Sequence, residues 1–292
     1  MTSRQITDTG PKHGLYLQNS PVYLDDQATP DNLVEYAIVA EEAGWDGVFL
    51  ADGLAPEFKS VDPWITLSGA ATRTSEIELG SWITPIPRRQ PWQVAHDLAT
   101  LDHLSGGRVI LGAGLGVLGS FAPFGIERDR ERMGQQYDEA LDVIAGLWRG
   151  EPFSYDGEFY TTEAAELPLT PVQQPRIPVV LGCWWPNKKP FQRAANWDGI
   201  MPVSPAMYGE EGQQGEPVTG SPEEEIRTML DYYRGMRDDP GEIFLPIDKP
   251  QMPSDFKEVC KELGATWRLT TNLLDGGSHA RNLERIREGP PG

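Results

Sequence analysis

The sequence predicts a single domain over residues 1–292, folded as an α/β protein of the TIM-like (β/α)8 barrel type. Two observations predict this fold. Eight short apolar runs alternate with segments of helical period, as in a closed barrel of repeated βα units. The runs are apolar throughout instead of alternating with polar residues, which indicates parallel strands buried on both faces. A doubly wound open sheet is the alternative, but it usually has fewer strands.

The predicted strands end in small or neutral residues instead of charges, so their ends leave space for a ligand close to the backbone. They are residues 13–18, 47–52, 77–84, 108–114, 178–183, 199–203, 243–247 and 266–271.

Three of the segments between the strands carry clear helix signals. Residues 31–43 form an amphipathic pattern, with Asp31 as the predicted N-cap and Gly44 as the stop. Residues 129–148 repeat large apolar side chains every three or four positions. Ser221-Pro-Glu-Glu-Glu combines a cap, a proline at the first helical position and acids in the first turn, so it predicts a helix start.

Two connections are longer than usual and are predicted as insertions, at about residues 150–177 and 204–220. The first contains Asp156-Gly157 between aromatic residues, which predicts a small hairpin. The second is rich in Gly, Glu, Gln and Pro. A long polar loop after a strand is often a mobile lid over a site, and a solvated insertion is an equally good interpretation.

Composition excludes several kinds of partner. The net charge of −19 argues against nucleic acid and against an anionic membrane surface. Cys183 and Cys260 lie far apart and form no disulfide framework, which favours a cytoplasmic location. We find no signal-peptide pattern and no apolar run of membrane-spanning length. A small molecule is therefore the expected partner.

In a barrel of this type the active site lies at the carboxyl ends of the strands. The residues predicted there are small, aromatic or neutral, with one carboxylate, and they favour a planar apolar ligand. They are Tyr16, Gln18, Asp52, Ser81–Thr84, Gly112–Gly116, Gly182–Trp185 and Thr270–Asn272. The chain has four histidines, none in a metal-binding pattern, and no nucleophile elbow, so we predict neither a metal site nor a catalytic serine.

A phosphate site is predicted after the fifth strand. Gly182 ends that strand and a helix begins at Asn187, where free backbone N–H groups bind anions. Lys188 and Lys189 add positive charge in an acidic chain. Arg88 and Arg89, just after the third strand, form a second basic cluster that is expected to hold an anionic group.

The segments 79–91, Leu-Gly-Ser-Trp-Ile-Thr-Pro-Ile-Pro-Arg-Arg-Gln-Pro, and 99–114, which ends Gly-Gly-Arg-Val-Ile-Leu-Gly-Ala-Gly, resemble the bacterial luciferase-like superfamily of flavin-dependent oxidoreductases. Residues 40–52 and 150–160 do so too, and the resemblance runs along nearly the whole chain. It implies a barrel that binds the deazaflavin coenzyme F420, or alternatively FMN, commonly in a homodimer.

The resemblance also implies roles for individual residues. Ser81–Ile83 resembles a bulge that backs the cofactor ring, with a cis peptide expected at Trp82–Ile83. Asp52 resembles an acid near the ring that orients it or relays a proton, and is the predicted catalytic residue. Gly182–Lys189 resembles the cofactor phosphate loop. The full cofactor set is Tyr16, Asp52, Ser81, Trp82, Ile83, Gly114, Gly116, Gly182, Asn187, Lys188 and Lys189. The expected substrate contacts are Gln18, Trp184, Trp185, Met207 and Tyr208.

Two differences from the family pattern reduce the number of reactions that we expect of this chain. Relatives that oxidise sugar phosphates carry a histidine where this chain has Gly53, and an acid where it has Val117. Without that acid–base pair, alcohol oxidation lacks its proton acceptor. The leading hypothesis is hydride transfer from reduced F420 to a small apolar or aromatic substrate. The alternatives are an FMN-dependent monooxygenase and a non-catalytic flavin-binding protein.

Overall fold

The computed structural model describes residues 10–54, 59–116, 124–125, 129–208, 218–249, 251–253 and 255–291. Its strands are β1 Lys12–Tyr16, β2 Gly47–Leu50, β3 Glu78–Ser81, β4 Thr84–Pro85, β5 Val109–Gly114, β6 Phe153–Asp156, β7 Thr161–Ala165, β8 Val179–Trp184, β9 Gly199–Val203, β10 Glu242–Pro246 and β11 Trp267–Thr270. All except β6 and β7 form one parallel sheet, and the pairings of β3 with β5 and of β11 with β1 close it into a barrel. The predicted fold class is confirmed, and β4 is a two-residue extension beside β5.

Helices cover the outside of the barrel. They are α1 Pro21–Leu24, α2 Pro30–Glu42, α3 Pro63–Ala71, α4 Pro91–Ser105, α5 Arg130–Leu147, α6 Lys188–Ala194, α7 Pro222–Arg234, α8 Phe256–Glu262 and α9 His279–Arg287. The predicted N-cap of α2 is wrong by two residues. Thr29 caps the helix and accepts from Asn32 N at 3.2 Å, because Pro30 takes the first helical position and leaves Asp31 inside the first turn. Ser221 caps α7 as its sequence predicts, and Glu224 completes a capping box with it.

The first predicted insertion contains the expected hairpin. Strands β6 and β7 pair antiparallel around the Asp156-Gly157 turn. Of the second insertion, residues 209–217 lie outside the described residues. Its two ends meet at Glu225 of α7, whose buried carboxylate accepts from the Ser204 hydroxyl, from Ala206 N at 3.2 Å and from Thr219 N at 2.6 Å.

The large core lies between the barrel and its helices and includes whole faces of α2, α4, α5 and α7. A second, smaller cluster fills the inside of the barrel. Within the described part of the chain, we find no helix with both the length and the apolar character needed to cross a membrane.

Candidate active site at the carboxyl ends of the barrel strands

Large apolar side chains fill the lower part of the barrel interior and form a floor. The members of this floor are Phe49, Ile110, Val180, Met201, Phe244, Trp267 and Leu269. Phe244 and Trp267 stack at 5.1 Å, and Phe49 meets both of them edge-on. Because close-packed side chains leave no room for a ligand, the space for one lies above this floor, toward the carboxyl ends of the strands.

Ile83 is the side chain that covers the floor toward β5 and β8. A Cβ atom at Gly114 would lie 2.5 Å from Ile83 Cγ2, and one at Gly182 would lie 2.6 Å from Ile83 Cδ1. Both distances are too short for real contacts, so any side chain at either position would displace Ile83. The sequence predicts that these glycines admit a ligand to the backbone. The structure gives a different reason for the two glycines: the group that lies against their backbone is the side chain of Ile83.

The backbone of the third strand places Ile83 there. Ser81 is fully buried and its hydroxyl donates to Gly112 O at 2.8 Å, which ties β3 to β5. Trp82 N donates to Leu50 O at 2.8 Å. The Trp82–Ile83 peptide is cis, which confirms the prediction. Trp82 and Ile83 are both half-buried and pack on the floor, so together they form a shelf, the surface on which a flat ligand can rest.

Asp52, the predicted catalytic residue, is engaged by two arginines. Its side chain is buried, with 5% of the residue exposed. One carboxylate oxygen pairs with the Arg88 guanidinium, which also donates to Asp52 O at 3.0 Å. The other accepts from Arg89 Nε at 3.1 Å. Because guanidinium donors occupy both oxygens, the arrangement favours an orienting role for Asp52 over proton transfer.

Arg88 and Arg89 therefore both form ion pairs with carboxylates of the protein itself. Arg89 also pairs with Asp62 at 3.0 Å, and Asp62 in turn caps α3 by accepting from Ile65 N at 3.0 Å. Burial opposes the charge on Arg89, but Asp52 and Asp62 outweigh it and raise the pKa of this group. The two positive charges of Arg88 and Arg89 are balanced by two carboxylates, contrary to the expectation that they hold an anionic ligand.

Aromatic rings and one lysine stand at the mouth of the barrel. Trp184, the last residue of β8, stacks on Tyr208 with ring centres 5.9 Å apart. Lys249 Nζ lies 5.3 Å from the centre of the Tyr208 ring. Tyr16 is the last residue of β1, and burial, with smaller effects of Tyr23 and Tyr208, raises the pKa of its phenol.

Several buried polar atoms at the same end of the barrel have no hydrogen-bond partner among the described residues. They are Gln18 Oε1, Thr84 Oγ1, Trp184 Nε1 and Thr270 Oγ1. Gln18 Nε2 is satisfied by Thr271 O at 2.8 Å, which leaves the amide oxygen. An unpartnered buried polar atom costs about 1–3 kcal/mol, so this region fits a ligand that has a flat apolar body and polar edges.

Two predicted substrate contacts belong to the core instead. Met207 is fully buried and Trp185 nearly so, and both pack in the cluster between barrel and helices. Trp185 meets the rings of Phe191 in α6 and Tyr232 in α7 edge-on. The physical reason is the pleat of β8, which sends adjacent residues to opposite faces. Trp184 shares the interior face with Val180 and Gly182, so Trp185 must point outward.

The predicted phosphate loop borders a cleft of about 800 Å³ between α5, β8 and α6. Asn187 caps α6 by accepting from Lys189 N at 3.2 Å. Lys189 lines the cleft, but Lys188 does not, because its Nζ lies 5.1 Å from the Tyr232 ring on the other side. The cleft is lined by Leu115, Gly134, Gln135, Tyr137, Asp138, Leu181, Gly182, Asn187, Lys189, Pro190, Gln192, Arg193 and Asn196. Gly116 follows the end of β5 with φ of +82°.

The sequence profile of the luciferase-like monooxygenase family matches residues 12–238. The chain belongs to this family. The F420-dependent glucose-6-phosphate dehydrogenase of Beutenbergia cavernae is 37% identical over 164 residues, which are 53% of this chain and 47% of that protein. The F420-dependent hydroxymycolic acid dehydrogenase of Mycobacterium tuberculosis is 37% identical over 161 residues, which are 52% of this chain and 44% of that protein. The chain spans about half the length of these curated relatives.

Solved structures of low identity share the fold of this luciferase-like chain. The monooxygenase RslO1 from Streptomyces bottropensis superposes with a TM-score of 0.76 over 94% of this chain and 96% of that chain, at 18% identity. A likeness at this identity supports the barrel and its connectivity.

Sequence reasoning missed one residue of the site, Lys249, which follows β10. A lysine shortly after a barrel strand was the available signal.

Gly53, where the sugar-phosphate oxidising relatives are expected to carry a histidine, donates its backbone N–H to the Ser60 hydroxyl oxygen at 3.0 Å. Val117 lies outside the described residues. Among the described residues, no cluster of His, Cys, Asp and Glu is placed to hold a metal ion.

Proposed function

We propose that this protein is an oxidoreductase that uses reduced deazaflavin coenzyme F420 for hydride transfer to a small apolar or aromatic substrate. The observation that carries the proposal is the shelf of Trp82 and Ile83 above the packed floor, together with buried polar atoms at the same end of the barrel that have no partner among the described residues. Such a surface suits a flat ring system with polar edges. The choice of F420 rests on the curated relatives, which share this cofactor although they act on different substrates.

The residues present fit the ring of such a cofactor. Ile83 and Trp82 support one face. Gln18 Oε1 and Thr270 Oγ1 are available for its polar groups. The cleft beside Gly182, Asn187 and Lys189 would take the phosphate. These side chains bind and orient, and the packed floor excludes water from below.

When bound, reduced F420 supplies a hydride. The protein's own residues place a substrate beside it. Trp184 and Tyr208 offer a stacked aromatic wall at the mouth of the barrel, where a planar substrate can lie. Asp52 acts as a positioning residue, because its ion pairs with Arg88 and Arg89 join the end of β2 to the segment after β4. The absence of an imidazole at Gly53 disfavours alcohol oxidation and favours reduction of the substrate.

Turnover tests the proposal. The purified protein is incubated with reduced F420 and a panel of conjugated carbonyl compounds, with and without oxygen, and oxidation of the cofactor is followed by absorbance. We expect substrate-dependent oxidation that does not need oxygen. Oxygen-dependent product formation with reduced FMN would favour the monooxygenase alternative. Binding of F420 without turnover of any compound would favour a non-catalytic flavin-binding protein.

The proposal extends to a cytoplasmic homodimer, as the family resemblance implies. Exposed apolar side chains on neighbouring helices support a protein interface: Ile65 of α3 is 75% exposed and Trp92 of α4 is 44% exposed. Sedimentation velocity of the wild type and of Ile65→Asp tests this point. A monomeric wild-type protein would contradict it.

A further inference from the structure

Lys249 is a half-buried cation at the mouth of the barrel that forms no ion pair with another described residue. Its Nζ lies over the Tyr208 ring, and none of the ion pairs between described residues involves it. Burial lowers the pKa of its ammonium, and the nearby Asp248 carboxylate offsets this only in part. In a chain with 44 acidic residues against 25 lysines and arginines, a desolvated cation with no paired carboxylate in the described part of the chain needs another explanation.

The backbone around Lys249 is held firmly. The Asp248 carboxylate accepts from Thr271 N at 2.8 Å and from Asn272 N at 2.7 Å, and Asn272 Nδ2 donates to Asp248 O at 2.6 Å. Asp248 is thus occupied by the end of β11. These bonds fix the position of residue 249 relative to β10 and β11, so its side chain starts from a defined point at the barrel mouth.

Further hydrogen-bond donors lie at the same end of the barrel. Trp184 Nε1 and Thr270 Oγ1 are buried and have no partner among the described residues. Thr270 is 6% exposed and precedes Thr271, which binds Asp248. An ammonium, an indole N–H and a hydroxyl share one chemical property, which is that each can donate to an anionic oxygen.

We propose that Lys249 is a specificity-determining residue that binds the carboxylate of a planar conjugated substrate, whose body stacks on Trp184 and Tyr208. The inference rests on the proposed function, because it names the class of substrate that would bind at the same site. Desolvation strengthens the attraction between an ammonium and a carboxylate, and the aromatic wall selects a flat body.

Binding of two probes tests the proposal without any need for turnover. Trans-cinnamate and trans-cinnamamide have the same shape and differ in charge. Each is titrated into wild type, Lys249→Met, Lys249→Arg and the control Lys261→Met, an exposed lysine of α8, with tryptophan fluorescence and calorimetry as readouts. Thermal melts establish that each variant is folded.

We expect Lys249→Met to weaken cinnamate binding by at least about tenfold, to leave cinnamamide binding unchanged, and to be largely rescued in Lys249→Arg. Lys261→Met should match the wild type. Equal weakening of both probes would overturn the proposal, because Lys249 would then act only through the packing of Tyr208. Failure of the wild type to bind cinnamate would overturn it as well.

The cofactor is titrated into the same variants to separate the two proposals. Unchanged F420 affinity in Lys249→Met is expected. Loss of F420 binding with unchanged cinnamate binding would assign Lys249 to the cofactor and overturn the inference. Charge-dependent cinnamate binding in a protein that does not bind F420 would support Lys249 as a carboxylate site and contradict only the proposed function.

Discussion

The side chain of Ile83 occupies the space that a side chain at Gly182 would need: a Cβ there would lie 2.6 Å from Ile83 Cδ1. Gly114 stands in the same relation to Ile83 Cγ2, at 2.5 Å. The shelf at the barrel mouth therefore depends on two glycines from two different strands, each of which meets a different methyl group of one isoleucine.

This relation predicts a selective rescue. Gly182→Ala should displace Ile83, weaken cofactor binding and lower the free energy of unfolding by about 1–3 kcal/mol. Adding Ile83→Val removes Cδ1 and should restore most of both losses. The same addition should not rescue Gly114→Ala, because valine retains Cγ2. Chemical denaturation and F420 titration of the wild type, the two alanine variants and the two double variants measure this, and equal rescue of both alanine variants would contradict the geometry.

Because Asp52 forms ion pairs with Arg88 and Arg89, we expect its replacement to lower the stability of the protein. Asp52→Asn leaves Arg88 and Arg89 without their shared carboxylate, so the free energy of unfolding should fall by about 2–4 kcal/mol, somewhat below the loss for a fully buried pair. Asp62→Asn is the matched control. It weakens only the more exposed pair with Arg89, and asparagine still caps α3. A thermal melt of Asp52→Asn that coincides with wild type would contradict this role.

The contribution of Glu225 to the free energy of unfolding should depend on pH. Burial alone would raise its pKa, but hydrogen bonds from Ser204, Thr219 and Ala206 outweigh it and lower the pKa. A depressed pKa gives stability that is present above the unfolded value, near 4.5, and lost as pH falls through the folded value. Glu225→Gln should therefore be less stable than wild type at pH 7 and approach it in acid.

The control for Glu225→Gln is Glu223→Gln, which removes an exposed pair with Arg227. Such solvent-screened pairs contribute little to the free energy of unfolding. Denaturation midpoints from pH 3 to pH 7 measure both variants. A difference between Glu225→Gln and wild type that does not change with pH would show that the carboxylate charge is not what holds Ser204 and Thr219.

The two lysines of α6 should behave differently. Lys189 lines the cleft beside Gly182, so Lys189→Ala should weaken F420 binding, with a larger loss at low salt than at high salt. Lys188 lies over Tyr232, so Lys188→Ala should bind F420 as the wild type does. Equal losses in the two variants would place the phosphate elsewhere.

Similarity to a glucose-6-phosphate dehydrogenase should not extend to the substrate of that enzyme. Gly53 supplies no imidazole, so glucose 6-phosphate should not reduce F420 above the rate without protein. Absorbance of oxidised F420 follows the reaction. Turnover of this sugar phosphate would contradict the proposed reduction chemistry.

The barrel was predictable because its strands and some of its helix caps are encoded locally, as at Ser221, although the cap of α2 is Thr29 and not the predicted Asp31. The cis peptide at Trp82–Ile83 followed from the resemblance. Trp184 and Tyr208 were both predicted as substrate contacts, but their stacking and the position of Lys249 over Tyr208 were not predictable, since Tyr208 and Lys249 lie in the loops after β9 and β10. The pleat of β8 could have separated Trp184 from Trp185, because only one of two adjacent strand residues faces the interior.

Parallel titration of the purified protein with oxidised F420 and FMN tests the central claim most directly, with quenching of tryptophan fluorescence as the readout. We predict saturable binding of F420 at micromolar concentrations, with FMN binding at least about tenfold more weakly. Ile83→Ala should weaken F420 binding, whereas the exposed control Ile65→Ala should not. Preference for FMN, or failure to bind either cofactor, would contradict the proposed use of F420.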